Sequence, residues 1–235
     1  MIKSSKSLAA LVVLLLSCCL LFPAVLAAAP DEVTLPVAGD LLTFGRYEQD
    51  DNLRNGPEPI TWLVLAVEGG KALLISQKCL VGKPYNTKEE AVTWETCTLR
   101  AWLNADFLNA AFTADEQKAI LTTAVTNEDN PYNGTDGGND TSDKVFLLSI
   151  AEAERLFTSD EERRALNTPY AVWHGAGVFL DGFGCWWLRS PGIGSDYAAC
   201  MDPGGSGFSF FFYAVVNDDI IAVRPALYIG LGANQ

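Results

Sequence analysis

The sequence is poor in the residues on which most catalytic sites depend. It has one histidine, His174, among 235 residues, so a Ser-His-Asp or Cys-His site would have to use it. It has no Gly-x-Ser-x-Gly motif, no Gly-x-x-x-x-Gly-Lys phosphate loop and no pair of histidines for zinc. We therefore expect His174 to be an ordinary loop or core histidine, and the protein to be a non-enzyme with no cofactor and no metal.

Basic residues are also scarce. Sixteen Lys and Arg residues face 29 Asp and Glu residues, which gives a formal net charge of −13. A surface this acidic repels nucleic-acid phosphates and anionic lipid headgroups, which argues against a nucleic-acid partner. Solubility alone explains the acidity.

No Cys-x-x-Cys motif occurs, which makes a zinc ribbon or a thioredoxin-like site improbable. Beyond the first 30 residues the cysteines are Cys79, Cys97, Cys185 and Cys200. They are interpreted either as disulfides or as buried thiols. A Cys185–Cys200 disulfide would close a loop of about 15 residues and contribute about 3 kcal/mol.

The N-terminus has the three parts of a signal peptide. Lys3 and Lys6 precede an apolar run from Leu8 to Leu21, and small residues follow Pro23 as far as Ala29. We predict a signal peptide over residues 1–27, and hence an extracellular protein, secreted or associated with the cell surface. No integral membrane segment would remain after cleavage.

Two alternatives for the N-terminus are open. The uncharged stretch 7–30 is long enough for a transmembrane anchor. Leu15-Leu16-Ser17-Cys18 resembles a lipoprotein signal, although apolar residues follow Cys18 where a polar tether is expected.

After an extended lead-in over residues 28–43, residues 44–231 are predicted to form a single domain. Its first part is β, because the apolar runs Ile60–Leu65 and Lys71–Ser76 flank Glu68-Gly69-Gly70 and thus predict a hairpin. A closing strand is predicted over Val223–Ile229.

The middle of the chain is predicted to be helical. Leu99, Trp102 and Leu103 share a helix face, whereas Leu108 and Phe112 fall off it, so we expect a break at residues 104–106. Further helices are predicted to start at capping residues and to run over 114–121, 150–157 and from about 160; the capping residues are Thr113 with Glu116, Ser149 with Glu152, and Ser159 with Glu162.

An acidic loop and an irregular β region complete the predicted α+β domain. The loop, residues 127–143, is rich in Asn, Asp and Gly, and its oxygen atoms could hold calcium. It does not have the twelve-residue calcium-loop spacing, and turn formation explains the same composition. After Pro169, Gly and aromatic residues indicate short strands and long loops.

The aromatic run Phe208–Tyr213, inside the segment 192–221, is the most informative feature for function. Because strand side chains alternate between faces, half of the run is expected in the core. The other half would present aromatic side chains to a ligand, or the whole run is buried. Trp186, Trp187, Arg189 and Arg224 are predicted to brace the core beneath.

Seven phrases of the sequence, spread over residues 40–231, resemble a bacterial extracellular family, domain of unknown function 6273. They are Phe44–Tyr47, Glu58–Leu65, Lys83–Asn86, Thr93–Asn104, Asp143–Ser149, Cys185–Gly192 and Val223–Leu227. The family is similar to the C-type-lectin-like fold of the formylglycine-generating enzymes and of retroelement-diversified binding proteins.

This resemblance implies an α+β domain with paired N- and C-terminal strands (Phe44–Tyr47 with Val223–Ile229), short helices in the middle and a loop-rich, irregular β C-terminal half. It also implies a ligand face in residues 192–221, binding an unknown extracellular protein or glycan. The candidate ligand contacts are Ile193, Ser195, Asp196, Tyr197, Met201, Ser206, Phe208, Phe210, Phe212, Tyr213, Asn217, Asp218 and Asp219.

The amino-acid usage of this segment bears on diversification by a retroelement. Randomised AAC or AAT codons cannot encode Lys, Glu, Gln, Trp or Met, which together make up 33 of the 235 residues. The thirty residues 192–221 should then hold about four of them and hold one, Met201. The bias has the predicted direction, although a Gly-rich β segment could show it without a retroelement.

Two other functions are kept as alternatives. One is a cysteine-dependent enzyme on a formylglycine-generating-enzyme-like fold that uses Cys185 or Cys200, which would have to be exposed and reactive. The other is a structural module of the cell envelope, which predicts a buried aromatic run and no ligand.

Overall fold

The computed structural model describes residues 35–206 and 213–232. The predicted signal peptide, residues 1–27, lies outside the described residues, as does the first part of the predicted lead-in, residues 28–34. From Leu35 onward the chain belongs to one unit. Over the residues described, no helix has both the length and the apolar character needed to cross a bilayer.

The structure confirms a mixed α+β architecture in which sheets dominate and the helices are short. The strands are β1 (Leu41–Tyr47), β2 (Glu58–Glu68), β3 (Lys71–Ser76), β4 (Val81–Gly82), β5 (Thr123–Val125), β6 (Thr141–Asp143), β7 (Val145–Phe146), β8 (Trp186–Pro191), β9 (Tyr197–Met201), β10 (Tyr213–Val215), β11 (Ala222–Val223) and β12 (Ala226–Gly230). The α-helices are α1 (Thr98–Trp102), α2 (Leu108–Ala111), α3 (Ala114–Ala119), α4 (Ile150–Leu156), α5 (Asp160–Arg163) and α6 (Pro169–Trp173). A 3₁₀ turn spans Leu180–Gly182.

Within residues 35–206 and 213–232 the strands form three sheets. The first has the order β1-β2-β3-β12-β7 and is antiparallel throughout, and the second has the order β10-β9-β8-β11-β4. In the second sheet β8 and β11 are parallel and the other pairs are antiparallel. β5 and β6 pair with each other.

The predicted N-terminal hairpin is confirmed. The pairing of β2 with β3 extends as far as Glu68 opposite Lys71, so Gly69 and Gly70 form a two-residue turn. Both glycines have positive φ, 56° and 73°. A type I′ turn needs this conformation at both positions, and glycine adopts it without steric cost.

The predicted pairing of the first and last strands is wrong. β1 pairs with β2, whereas β12 lies between β3 and β7. The closing run is also two strands rather than one, because it is interrupted at Arg224-Pro225 and β11 belongs to the second sheet. Proline has no N–H with which to continue a ladder, so the chain changes sheets there.

Two of the three predicted capping pairs form complete capping boxes, whereas Ser159 accepts the Glu162 N–H at 3.3 Å but Glu162 Oε2 accepts the Thr158 N–H instead of that of Ser159. Thr113 Oγ1 accepts the Glu116 N–H at 3.3 Å, and Glu116 Oε2 accepts the Thr113 N–H at 2.8 Å. Ser149 and Glu152 make the same reciprocal pair at 3.1 and 2.9 Å. The helices end one or two residues earlier than predicted, at Ala119 and Leu156.

The predicted break after Leu103 is a π-helical segment, Leu103–Phe107, which joins α1 to α2 without a loop. A π-turn has more residues per turn than an α-helix, so it rotates the residues that follow it. Leu108, which an unbroken α-helix would place off the apolar stripe, is therefore buried with Leu99, and Phe112 is buried in extended conformation just after α2.

The predicted core braces are buried as expected. Arg189 donates to the carbonyl oxygens of Leu147 and Thr126 and pairs with the Glu152 carboxylate, which ties β8 to α4. Arg224 donates to the carbonyl oxygens of Ser76 and Arg163, each at 3.0 Å. The indole N–H groups of Trp186 and Trp187 also donate to backbone carbonyls.

A buried carboxylate connects two of the phrases that carry the family resemblance. Asp143, 1% exposed, accepts hydrogen bonds from Trp94 Nε1 at 3.0 Å and Thr141 Oγ1 at 2.7 Å, and pairs with Arg100 Nε at 2.7 Å. The segments 93–104 and 143–149 are thereby held together.

Candidate functional site

The predicted ligand face lies on β9, β10 and the turns around them. Ile193, Ser195, Ser206, Asn217 and Asp219 are exposed. Asp196, Tyr197, Tyr213 and Asp218 are partly exposed. Phe208, Phe210 and Phe212 lie outside the described residues.

Met201 is not available as a ligand contact. It is fully buried and lies opposite Trp186 in the β8–β9 ladder. Its side chain belongs to the core, so the prediction for this residue is wrong. Its burial also gives a packing reason for a methionine in a segment otherwise free of Lys, Glu, Gln and Trp.

A cleft of about 480 Å³ opens beside β10. This volume is within the range of small-molecule sites in proteins. Its lining is mostly apolar and combines Phe179, Pro203, Ile220 and Ile221 with Cys185, Cys200, Ala214, Val215, Tyr197, Tyr213 and Asp218. Tyr197, Tyr213 and Asp218 are the predicted face residues that line it.

Strand register explains why the cleft contains small side chains. Ala214 pairs with Ala198, and Cys200 pairs with Trp187 across β8. Because side chains alternate along a strand, Ala198, Cys200 and Ala214 share one face of the second sheet. Small residues on that face leave room for a ligand, and Tyr197, Tyr213 and Val215, which alternate to the other face, also line the cleft.

The turn that follows β9 is built on Asp202. This buried carboxylate accepts the N–H groups of Gly204 at 2.6 Å and Ser206 at 3.2 Å, and the Ser206 hydroxyl at 2.5 Å. Ser206, predicted as a ligand contact, therefore helps to fix the turn, and the turn places Pro203 in the cleft wall.

The turn that follows β10 places Asp218 at the cleft. The Asp218 N–H donates to the Val215 carbonyl at 2.9 Å, and Asp218 Oδ1 accepts the Ile220 N–H at 3.0 Å. Among the described residues nothing donates to Asp218 Oδ2. The same turn leaves Asn217 and Asp219 exposed outside the cleft lining.

The cleft thiols are held in the neutral form. Burial raises the pKa of Cys185 to about 12, and the charges of Asp202 and Asp218 contribute. Burial also raises the pKa of Cys200 well above its usual value, with Cys185, Asp218 and Asp202 adding to the effect. A nucleophilic cysteine needs a thiolate, so this environment disfavours the cysteine-dependent enzyme.

The four cysteines of the described chain are buried thiols, not disulfides. This arrangement corresponds to one of the two interpretations left open by the sequence.

His174 has the environment of a loop residue. It lies at the C-terminal end of α6, half exposed, with its ring centroid 3.9 Å from that of Tyr170. Its Nε2 atom is 3.9 Å from Asp51 Oδ1. Within the described residues no serine or cysteine side chain is hydrogen-bonded to it.

Sequence reasoning missed an apolar surface beside the cleft, here called the apolar rim: Val172, Trp173, Val178, Phe179 and Ile220. Trp173 is 77% exposed and Val178 56%. The Gly177 N–H donates to the Ile220 carbonyl at 2.8 Å, which holds the two segments together, and Phe179 and Ile220 also line the cleft. The sequence signal available was a pair of apolar dipeptides, Val172-Trp173 and Val178-Phe179, separated by a short stretch that contains Gly175 and Gly177.

The acidic loop uses its carboxylates on its own backbone. Asp140 Oδ1 accepts the Asn127 N–H at 2.9 Å, Asp129 Oδ1 the Gly137 N–H at 3.1 Å, and Asp136 Oδ1 the Gly138 N–H at 2.9 Å. These bonds support turn formation as the reason for the composition.

A second acidic group has the spacing of a cation site. Glu48, Asp50 and Glu58 can each place one carboxylate oxygen within 4.8 Å of the others. These oxygens already serve a loop: Glu58 Oε2 accepts the Gln49 N–H at 2.8 Å, and Glu48 Oε1 accepts the Asn52 N–H at 3.0 Å. Their arrangement is thus explained without an ion.

The fold and the cleft define an α+β domain with an apolar, carboxylate-bearing recess on its second sheet. Residues 69–231 match the model of a family described as domain of unknown function (DUF6273). The chain belongs to this family. The matched region begins in the turn between β2 and β3, so the phrases before residue 69 lie outside it, although β1 and β2 complete the same sheet. No curated protein and no solved structure matches the chain.

Proposed function

We propose that this protein is a non-enzymatic extracellular binding domain whose ligand face is the cleft and its apolar rim. The observation that carries the proposal is the position of the cleft, which opens within the segment that sequence reasoning assigned to ligand binding. Exposed apolar surface rimmed by polar residues is typical of interaction sites.

Three further features support binding rather than chemistry. Nine of the eleven residues that line the cleft lie between Tyr197 and Ile221, on strands and on the turns that join them, so a sheet holds the turns of the binding face in place. The turns are held by Asp202 and Asp218 through backbone hydrogen bonds. The thiols that an enzyme of this kind would use are neutral and buried.

Filling the cleft tests the proposal. Ala214→Trp would occupy the recess from the edge strand β10, where Ala214 is only partly buried. Ala119→Trp, at the exposed end of α3, is the matched control. Both variants and the wild type would be applied to arrays of extracellular glycans and surface proteins, with thermal melting to confirm folding.

We expect the control to keep every interaction that the wild type makes, and Ala214→Trp to lose them. Retention of all interactions by a folded Ala214→Trp protein would refute the use of the cleft. Interactions lost equally by both variants would point to a face elsewhere.

The proposed location outside the cell rests on the N-terminal pattern of residues 1–27. N-terminal sequencing of the protein recovered from the medium or envelope tests it. A mature chain starting near residue 28 supports export with cleavage, an acylated Cys18 supports the lipoprotein alternative, and an intact N-terminus supports an anchor.

The likeness to the C-type-lectin-like fold and to diversified binding proteins remains part of this proposal. It is supported by the phrases of the sequence and by the amino-acid usage of residues 192–221, while the order of the first sheet departs from the expected terminal pairing. Deep sequencing of this gene segment from one culture tests diversification. Variation confined to these codons supports it, and a clonal segment contradicts it.

A further inference from the structure

The charge distribution around the cleft specifies the chemistry of its ligand, on the basis of the function proposed above. Asp218 is the one charged residue that lines the cleft, and no lysine or arginine does so among the described residues. Its Oδ1 atom is engaged by Ile220, while nothing in the described chain donates to Oδ2. The cleft therefore presents a carboxylate oxygen that is available to a donor or a cation.

A second carboxylate strengthens the negative potential at the base of the cleft. Asp202 is buried behind Pro203, and its bonds to Gly204 and Ser206 fix its position. The two cleft thiols respond to this potential, since Asp202 and Asp218 both contribute to raising the pKa of Cys185 and of Cys200. Both effects come from the same two carboxylates, which make the electrostatic potential at the cleft floor negative.

A basic side chain contacts the turn that follows β9 but is not part of the cleft lining. Arg164 donates to the Pro203 carbonyl at 3.2 Å, and its guanidinium lies 3.7 Å from the centroid of the Phe183 ring. It is thereby held outside the cleft lining. The formal charge of the whole chain, −13, adds a long-range attraction for cations.

The remaining walls of the cleft favour a ligand whose uncharged part is apolar. Phe179, Pro203, Ile220 and Ile221 supply apolar surface, and the face with Cys200 and Ala214 supplies depth. Aromatic rings and a carboxylate together suit a substituted ammonium group, whose charge is spread over apolar carbon. We infer that the cleft binds a small organic cation, an ammonium group carried on an aromatic or alkyl body, with the ammonium beside Asp218.

A pair of isosteric probes separates charge from shape. Benzyltrimethylammonium and its neutral isostere neopentylbenzene would be titrated into the ¹⁵N-labelled protein to the solubility limit of each, with chemical-shift changes mapped on the cleft. We expect the cation to bind roughly tenfold more tightly, since a carboxylate and a cation in contact attract each other more strongly at a protein surface than in bulk water.

Variants at neighbouring aspartates supply the control. Asp218→Asn keeps the acceptor for the Ile220 N–H but removes the charge, and Asp219→Asn removes an adjacent charge that does not line the cleft. We expect Asp218→Asn to abolish the preference for the cation while Asp219→Asn retains most of it. High salt should reduce the preference in the wild type.

The outcomes distinguish the inference from the proposed function. Equal binding of both probes at the cleft, or an unchanged preference in Asp218→Asn, would overturn the cation inference and leave a binding cleft. Binding of neither probe would also overturn the inference, and the proposed function would then stand or fall on the Ala214→Trp experiment. Binding of the cation at other acidic surfaces, with no cleft shifts, would overturn it as well.

Discussion

The buried carboxylate of Asp143 allows a quantitative test of how the fold is held together. Asp143→Asn removes the charge while keeping the shape of the side chain. The amide oxygen of the variant can still accept from Trp94 and Thr141, but its Nδ2 group would then face the third donor, Arg100.

The magnitude follows from the contacts. Removing one partner of a buried ion pair typically costs about 3 to 5 kcal/mol. Arg100 is 25% exposed and can regain water, which reduces that figure. We therefore expect a loss of about 2 to 4 kcal/mol, or about 4 to 16 °C in melting temperature for a domain of this size.

The matched control is an exposed pair of the same type. Lys118 Nζ lies 2.7 Å from Asp115 Oδ1, with both side chains largely exposed. Surface pairs of this kind contribute about 0.2 to 1 kcal/mol. Asp115→Asn should lower stability by less than 1 kcal/mol, and this small loss should vanish at high salt.

The assay is equilibrium unfolding in urea, followed by tryptophan fluorescence and by circular dichroism at low and high salt. The reasoning would be refuted if Asp143→Asn destabilised the protein no more than Asp115→Asn does. A large but fully salt-screened effect would also contradict it, because a buried pair is screened little.

Three further predictions concern glycine, thiols and arginine. Gly45 has φ of 68° and an added Cβ would lie 2.5 Å from the Phe112 ring, whereas Gly56 has φ of 80° and open space around it. In thermal melts Gly45→Ala should therefore lose at least about 1 kcal/mol more stability than Gly56→Ala. Equal losses would exclude a steric cause. Burial raises the folded-state pKa values of Cys79, Cys97 and Cys185 to about 12, above the value of about 8.5 for an unfolded thiol. Because the unfolded state loses its thiol protons first, the contribution of these thiols to stability is intact below about pH 8.5 and is lost as the pH rises toward about 12. Unfolding free energies at pH 8 to 10.5 should fall less steeply for Cys185→Ser than for the wild type, and identical slopes would contradict the assignment. Arg224→Met leaves the buried carbonyl oxygens of Ser76 and Arg163 without their donors and should cost about 2 to 3 kcal/mol in urea unfolding. The exposed control, Arg155→Met, should cost less than about 0.5 kcal/mol. If Arg224→Met leaves stability unchanged, relief from burying the charge offsets the lost hydrogen bonds.

The features that could be predicted from sequence are those fixed by residues close together in the chain. The Gly69-Gly70 turn and the capping boxes at Thr113 and Ser149 depend on contacts within four residues, and all are present. The core braces were also predictable, since tryptophan and arginine in an apolar phrase need buried partners.

The features that escaped prediction depend on contacts between distant residues. The position of β12 between β3 and β7 is decided by pairing over more than 70 residues, which no local pattern encodes. The cleft joins Phe179 and Cys185 to residues after 196, and its floor is formed by small residues that carry no sequence signal for binding. The break after Leu103 was predicted, but its form was not, because a π-turn and a loop disrupt the helical period in the same way.

The split between β11 and β12 has a consequence for the order of events during synthesis. β11 lies between β8 and β4, and β12 lies between β3 and β7, so each is an interior member of its sheet. A ribosome-bound chain that ends before residue 222 lacks a central strand in both sheets at once. Neither sheet can be completed until residues 222–230 have been synthesised, so both sheets depend on the same short segment for their formation.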